Sequence, residues 1–212
     1  MTSILKVDNI QNSSGTAAMT IDGSSNVTFP QNATFNGTVT GTGIVKAATV
    51  SPSGTAACDF TSIPAGVVRI SLSGSGVSQT GGSGVPNSYF MIKIGDSGGF
   101  ESTGYSGAIW QQNSAGTDGA AKAQSSGTGT NGNGWAVTLA TSASTVLNIT
   151  AELRLVDAST NTWIYNFIST TDTTGIFAGA GSKSLSGTLD RVRLQTYSSF
   201  NFDAGKVSIQ YE

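Results

Sequence analysis

One stretch of the chain decides the fold class: Val146-Leu147-Asn148-Ile149-Thr150-Ala151-Glu152-Leu153-Arg154-Leu155-Val156-Asp157. Apolar and polar side chains alternate along it, so its leucines, Ile149 and Ala151 lie on one face of a long β-strand. The polar residues Ala158-Ser159-Thr160-Asn161 then turn the chain into Trp163-Ile164-Tyr165-Asn166-Phe167. Two such runs joined by a short polar turn predict an antiparallel β-hairpin.

Other runs with the same alternation surround this hairpin. They are Val68–Ser73, Tyr89–Ile94, Trp135–Leu139, Lys183–Ser186, Asp190–Thr196 and Lys206–Glu212, and we place Val68, Ile70 and Leu72 inward. No segment has a helical period. About eight short strands with one apolar face each predict an all-β fold, an antiparallel, jelly-roll-like β-sandwich over residues 58–212. The outward positions carry a solvated charged set with possible cross-strand ion pairs: Arg69, Glu152, Arg154, Arg191, Arg193 and Lys206.

The composition excludes several classes of function. The 212 residues contain no histidine, one cysteine (Cys58) and only 10% charged residues, against roughly 25% in an ordinary domain. Catalysis by Ser-His-Asp or Cys-His groups is therefore impossible, and the ligands of a zinc site are missing. A net charge of −2 without a run of Lys or Arg argues against nucleic acid as a partner. We expect no cofactor, no metal and no enzymatic activity.

The beginning of the chain carries no apolar targeting segment. Met1-Thr2-Ser3-Ile4-Leu5-Lys6 lacks the stretch of about 7–15 apolar residues of a signal peptide. No run of about 18 apolar residues predicts a membrane-spanning helix. We therefore expect a protein that is made in a cytoplasm, does not use the secretory route and does not insert into a membrane.

Residues 1–57 differ from the rest of the chain. Turn signals rich in Gly, Asn and Ser separate short alternating pieces, among them Val27-Thr28-Phe29 and Ala33-Thr34-Phe35. Each piece offers only two apolar side chains, too few to offset the entropy of ordering a strand. We predict an extended β segment whose apolar faces meet other copies of the chain, three of which would wrap a shared core. The alternative is a flexible linker.

A long Gly- and Ser-rich stretch, residues 95–134, carries three aromatic residues. Phe100, Tyr105 and Trp110 are candidates for stacking on the sugar rings of a glycan or for packing against a partner, and the alternative is that their rings close one end of the sandwich. A strand is expected around Gly107 to Gln111. The only suggestive pair of carboxylates, Asp96 and Glu101, lies beside these rings, where a glycosidase would need two acids about 5–10 Å apart.

Two sets of residues resemble virion proteins of marine tailed bacteriophages. The opening Ile4-Leu5-Lys6-Val7-Asp8-Asn9-Ile10-Gln11-Asn12-Ser13-Ser14-Gly15 resembles the N-terminal segment of their fibre proteins, as do the blocks Met19–Asp22 and Asn26–Phe29. Blocks of the second region resemble a recurring phage module: Ile63–Val67, Gly95–Tyr105, Leu155–Trp163 and Gly181–Arg193.

The resemblance implies a component of the virion exterior, commonly a homotrimer, with an N-terminal anchor and a distal β domain. Its partners would be other copies of the chain and a tail adaptor or capsid protein. The expected function is a tail or head fibre; the alternatives are a capsid decoration protein and a receptor-binding protein that contacts host glycan through residues 95–134. The candidate docking and assembly residues are Ile4, Leu5, Val7, Ile10, Val27, Phe29 and Phe35.

Overall fold

The structure, a computed structural model, describes residues 9–11, 14–30, 43–81, 89–112, 122–124, 133–138, 142–172, 175–196 and 200–212. The chain divides into two units, Met1–Thr42 and Gly43–Glu212. This boundary lies earlier in the chain than the one predicted at residue 57. Residues beyond Gly43 belong to the second unit because the backbones of Ala47 and Val50 hydrogen-bond to those of Ile209 and Val207.

The described part of the first unit is a small antiparallel sheet. Its strands are β1 (Asn9–Gln11), β2 (Ala17–Ile21) and β3 (Val27–Thr28), in the order β1-β2-β3. The turn between β2 and β3 is held by Asp22, whose Oδ1 accepts hydrogen bonds from the amides of Ser24 at 2.8 Å and Asn26 at 2.9 Å. Such bonds from an Asp to the following backbone stabilise turns.

The second unit is built from two antiparallel sheets. Their strands are β4 (Val45–Lys46), β5 (Ala57–Phe60), β6 (Arg69–Gln79), β7 (Phe90–Asp96), β8 (Gly99–Phe100), β9 (Ser106–Gln112), β10 (Lys122–Gln124), β11 (Trp135–Ala136), β12 (Leu147–Asp157), β13 (Thr162–Thr171), β14 (Gly175–Ser184), β15 (Arg191–Thr196) and β16 (Phe202–Tyr211). The larger sheet has the order β10-β9-β14-β13-β12-β6-β16-β4, and the smaller has the order β11-β7-β15-β5 with β8 added beside β7.

The all-β class is confirmed, and no helix occurs among the described residues. The predicted hairpin is β12–β13, with Leu147 opposite Thr171 and Leu155 opposite Trp163. The described part of the second unit has five strands beyond the eight predicted: β9, which was expected separately around Gly107 to Gln111, β5, and the short pieces β4, β8 and β10. One side-chain direction was wrong: Val68 is 53% exposed, since the strand begins only at Arg69.

The pairing of the long strands is nested. β12 pairs with β13, β9 with β14, β7 with β15 and β6 with β16, so each pair encloses the previous one in the sequence. A rolled-up antiparallel hairpin of this kind gives the jelly-roll connectivity. The eight long strands are not divided four to a sheet, because β12 and β13 both lie in the larger sheet, between β14 and β6.

The core contains a column of aromatic rings. Trp135 stacks on Tyr165 with 4.2 Å between ring centroids, Tyr165 stacks on Phe167 at 5.7 Å, and Tyr105 meets Trp135 edge-on at 5.0 Å. Strand β14 makes room for these rings with glycines. A Cβ on Gly179 would lie 2.5 Å from the Phe167 ring, and one on Gly181 would lie 2.9 Å from Trp135 Nε1.

Candidate functional site

Tyr105 lies in the core and is removed from the candidate surface contacts. Its side chain is fully buried, and its hydroxyl accepts a hydrogen bond from the amide of Ile94 at 2.9 Å and lies 3.0 Å from the carbonyl of the same residue. Burial raises the pKa of this phenol. Tyr105 therefore holds the end of β7 from inside the sandwich. For this residue the structure agrees with the alternative interpretation, in which the aromatic rings close one end of the sandwich.

Phe100 lies over the outer face of the smaller sheet. The guanidinium carbon of Arg193 stands 4.0 Å from the centroid of its ring, a cation–π distance. Arg193 also forms a two-pronged ion pair with Asp59, at 2.6 and 2.7 Å. Because Phe100 is half-buried beneath an arginine, its ring is covered on that side.

Trp110 lies on the outer face of the larger sheet. Its neighbour Ile109 points into the core, and Trp110 itself is 38% exposed. Across β14 it faces Ala178, which in turn faces Ile168 on β13. The structure therefore does not bring the three aromatic candidates together: one lies on each outer face, and Tyr105 lies between the sheets.

Asp96 and Glu101 are joined through one serine. Ser186 donates its hydroxyl to Asp96 Oδ2 at 2.7 Å and its amide to Glu101 Oε1 at 2.8 Å. Glu101 also forms an ion pair with Lys183, whose side chain is only 4% exposed and which donates to the Ser184 carbonyl at 2.7 Å. The stretches 95–105 and 181–193 meet at this cluster.

The electrostatics of this cluster are those of a structural junction. The hydrogen bond from Ser186, with a second from the amide of Gly98, lowers the pKa of Asp96. Burial pushes the pKa of Glu101 upward, but the bonds from Lys183 and Ser186 together outweigh burial, and the net shift is downward. A glycosidase needs one carboxyl group with a raised pKa as its general acid. Neither carboxyl has that property.

Three of the charged residues predicted on outward positions form ion pairs at one end of the larger sheet. Glu152 binds Arg69 and Arg154, and Arg69 also contacts Glu212 at 3.1 Å. The bonds from both arginines lower the pKa of Glu152. The two contacts of Arg69 are cross-strand pairs, whereas Glu152 and Arg154 lie on the same strand; Arg191 and Arg193 pair with Asp190 and Asp59 on the smaller sheet.

A groove on the outer face of the larger sheet was not anticipated from the sequence. It has a volume of about 490 Å³ and crosses β16, β6, β12 and β13. Bulges interrupt the pairing of β6 with both of its neighbours, and bulges bend strands. In the sequence, this face is marked only by the polar residues of the alternating strands: Ser73, Thr150, Thr170 and Ser208. Such residues are typical of any solvent-facing strand surface, so they do not indicate a groove.

The docking candidates fall into two groups. Ile4, Leu5, Val7 and Phe35 lie outside the described residues. Ile10, Val27 and Phe29 are 43%, 50% and 43% exposed. Throughout residues 9–11 and 14–30 no side chain is buried.

Within the described ranges, no three Cys, Asp or Glu side chains cluster as metal ligands would, and no helix has the length and apolarity to cross a membrane. Comparisons with protein families, with curated proteins and with solved structures found no match.

Proposed function

We propose that this chain is a non-enzymatic structural protein of a virus particle, a phage tail or head fibre that assembles as a homotrimer on the virion exterior. Its first unit, Met1–Thr42, would dock and trimerise, and its second unit would project outward as a β-sandwich. The resemblance of the opening residues to phage fibre proteins supports the class. The architecture of the two units supports assigning docking and assembly to the first unit and the projecting domain to the second.

The observation that carries the proposal is the lack of buried side chains in the described residues of the first unit, 9–11 and 14–30. Its described strands have three, five and two residues, and none of their side chains is buried. Ordering the backbone costs about 1–2 kcal/mol per residue, which a small sheet must recover by burying apolar surface. Ile10 and Val27 are about half-exposed among the described residues, and another chain would supply that burial.

A further copy of the same chain is the partner that we favour. Every copy brings the same apolar side chains, and a closed ring of three brings them together around one axis. The second unit has its own continuous core, from Cys58 to Ile209, and does not need a partner to bury it. The first unit therefore has the greater need of assembly.

Point substitutions in the full chain test this role. Ile10→Thr with Val27→Thr keeps β-branched side chains and removes two apolar contacts, so sedimentation velocity should show the trimer dissociating at higher protein concentration than the parent. Ile44→Thr, at a 64% exposed position of the second unit, is the matched control and should leave the trimer unchanged. Equal dissociation of all three proteins would refute the assembly role.

A capsid decoration protein is the alternative that the same surface permits. In that case the apolar side chains of the first unit meet the shell and not other copies. A full-length chain that stays monomeric at every concentration, yet sediments with capsids, would replace the fibre with this alternative.

A further inference from the structure

The groove on the larger sheet combines many hydroxyl side chains with one charged side chain and the apolar residues Ile149, Ile168 and Val207. Six hydroxyl side chains in it make no hydrogen bond to any described residue: Thr49, Ser73, Ser75, Thr150, Thr170 and Ser208. The hydroxyl of Ser169, also in the lining, is used internally and binds the Val137 carbonyl, as is that of Ser78, outside the lining, which binds Asp203. The groove therefore presents a dense set of donors and acceptors to whatever occupies it.

The amide of Asn148 is oriented within this lining. Its Oδ1 accepts a hydrogen bond at 3.0 Å from the amide of Gly76, at the bulge of β6. The bond fixes which end of the side-chain amide is engaged, so the two hydrogens of Nδ2 remain for a ligand. A fixed amide beside mobile hydroxyls gives the groove one oriented donor group.

Lys206 is the one charged side chain in the lining. All four arginines and Lys183 form ion pairs with carboxylates. Lys206 is exposed on β16, and no carboxylate of the described residues lies within ion-pair distance of it. An uncompensated ammonium among hydroxyl groups favours an anionic ligand over a cationic one.

An apolar strip extends the groove along one row of the sheet. The register places Thr150 opposite Ile168, Ile168 opposite Ala178, and Ala178 opposite Trp110. Ile168 is 57% exposed and also lines the groove. The small Ala178 leaves space between the two large side chains, so Trp110 stands two strands beyond Ile168, roughly 10 Å at about 4.8 Å per strand.

From these features we propose that the groove binds an acidic oligosaccharide. Hydroxyl and amide groups match the hydroxyls of sugar rings, Lys206 matches a carboxylate or sulfate, and Ile168 and Trp110 match the apolar faces of successive rings. A volume of about 490 Å³ lies in the range of small-molecule sites. This inference does not depend on trimerisation, and it places recognition on a sheet face, with Trp110 the one residue shared with the stretch 95–134.

The test is binding of the full chain to a panel of oligosaccharides of equal length that carry uronate, sialate, sulfate or no charge, measured by glycan array and titration calorimetry. We expect at least one acidic member to bind, with affinity falling as salt is raised because the ion pair is screened. Lys206→Gln should weaken binding by about tenfold, as loss of a charged hydrogen bond implies.

Matched variants separate the groove from the rest of the surface. Trp110→Ala should weaken binding several-fold, whereas Val156→Ala, at another exposed apolar position of the larger sheet, should not. Lys46→Gln, on β4 and outside the groove lining, controls for net charge. Binding of no panel member, equal affinity for neutral and acidic members, or indifference to Lys206→Gln would each overturn the proposal. None of these outcomes bears on the trimer.

Discussion

The ion pair between Glu101 and Lys183 provides the most demanding test of the second unit. Lys183 lies at an inward position of β14, 5.6 Å from the centre of the Tyr105 ring, and Glu101 comes from the loop after β8. Glu101→Gln keeps the size of the side chain and removes its charge. The ammonium of Lys183 then stays buried with only neutral partners, among them the Ser184 carbonyl, and no charge to balance its own.

The expected cost follows from burial. Breaking a buried ion pair by removing one charge costs about 3–5 kcal/mol, and we take the lower end because Glu101 is 23% exposed. The double variant Glu101→Gln with Lys183→Met removes both charges, and such neutral replacements are often nearly as stable as the parent. It should therefore be more stable than Glu101→Gln alone, the signature of direct coupling.

Urea unfolding followed by tryptophan fluorescence measures these differences, since Trp135 and Trp163 are buried in the sandwich. Arg154→Gln is the control: its ion pair with Glu152 is formed by an arginine that is 58% exposed, and little change is expected. A Glu101→Gln variant within about 1 kcal/mol of the parent, or a double variant less stable than the single one, would refute this account of the buried pair.

Three further predictions concern the described residues. Folding lowers the pKa values of Asp96, Glu101 and Glu152. The stability that these carboxylates contribute is therefore complete above their unfolded pKa values, near pH 4, and is lost as the pH falls through the lower folded values. The urea midpoint of unfolding should drop below about pH 4, and a midpoint that does not change with pH would contradict this. Burial, with the nearby Asp59 charge, raises the pKa of Cys58 to about 11, so iodoacetamide should label the native protein at pH 8 far more slowly than the urea-unfolded protein; equal rates would show an accessible thiol. Gly181→Ala places a Cβ 2.1 Å from the Ser106 carbonyl and should cost about 1–3 kcal/mol or more in urea unfolding, whereas the neighbouring Ser182→Ala should cost little.

The sequence predicts the strands in which branched and aromatic side chains alternate with polar ones. β12 and β13 were recognised because leucines, Ile149 and aromatic residues repeat at every second position. β14 was recognised only at its end, since Gly175–Ser184 is rich in Gly and Ala. Gly179 and Gly181 of this strand leave room for the Phe167 ring on β13 and the Trp135 ring on β11, and local patterns carry no information about such partners.

The candidate site was less predictable than the fold. Phe100, Tyr105 and Trp110 are close in sequence, but β8 and β9 carry them to the two different sheets and the space between. The groove combines residues from four long strands that span positions 73 to 208, and its shape depends on bulges in β6. Long-range register and bulges are set by tertiary packing, so neither appears in short-range spacing.

The most direct test of the central claim is the mass in solution of the full chain and of a truncation that begins at Gly43, the boundary of the second unit. Sedimentation equilibrium over a range of concentrations gives both masses. The account predicts a full-length trimer and a truncated chain that is monomeric or far more weakly associated, because the first unit, whose described side chains are all unburied, supplies the assembly surface. A trimer of equal strength in both proteins, or a full-length chain that remains monomeric, would contradict it.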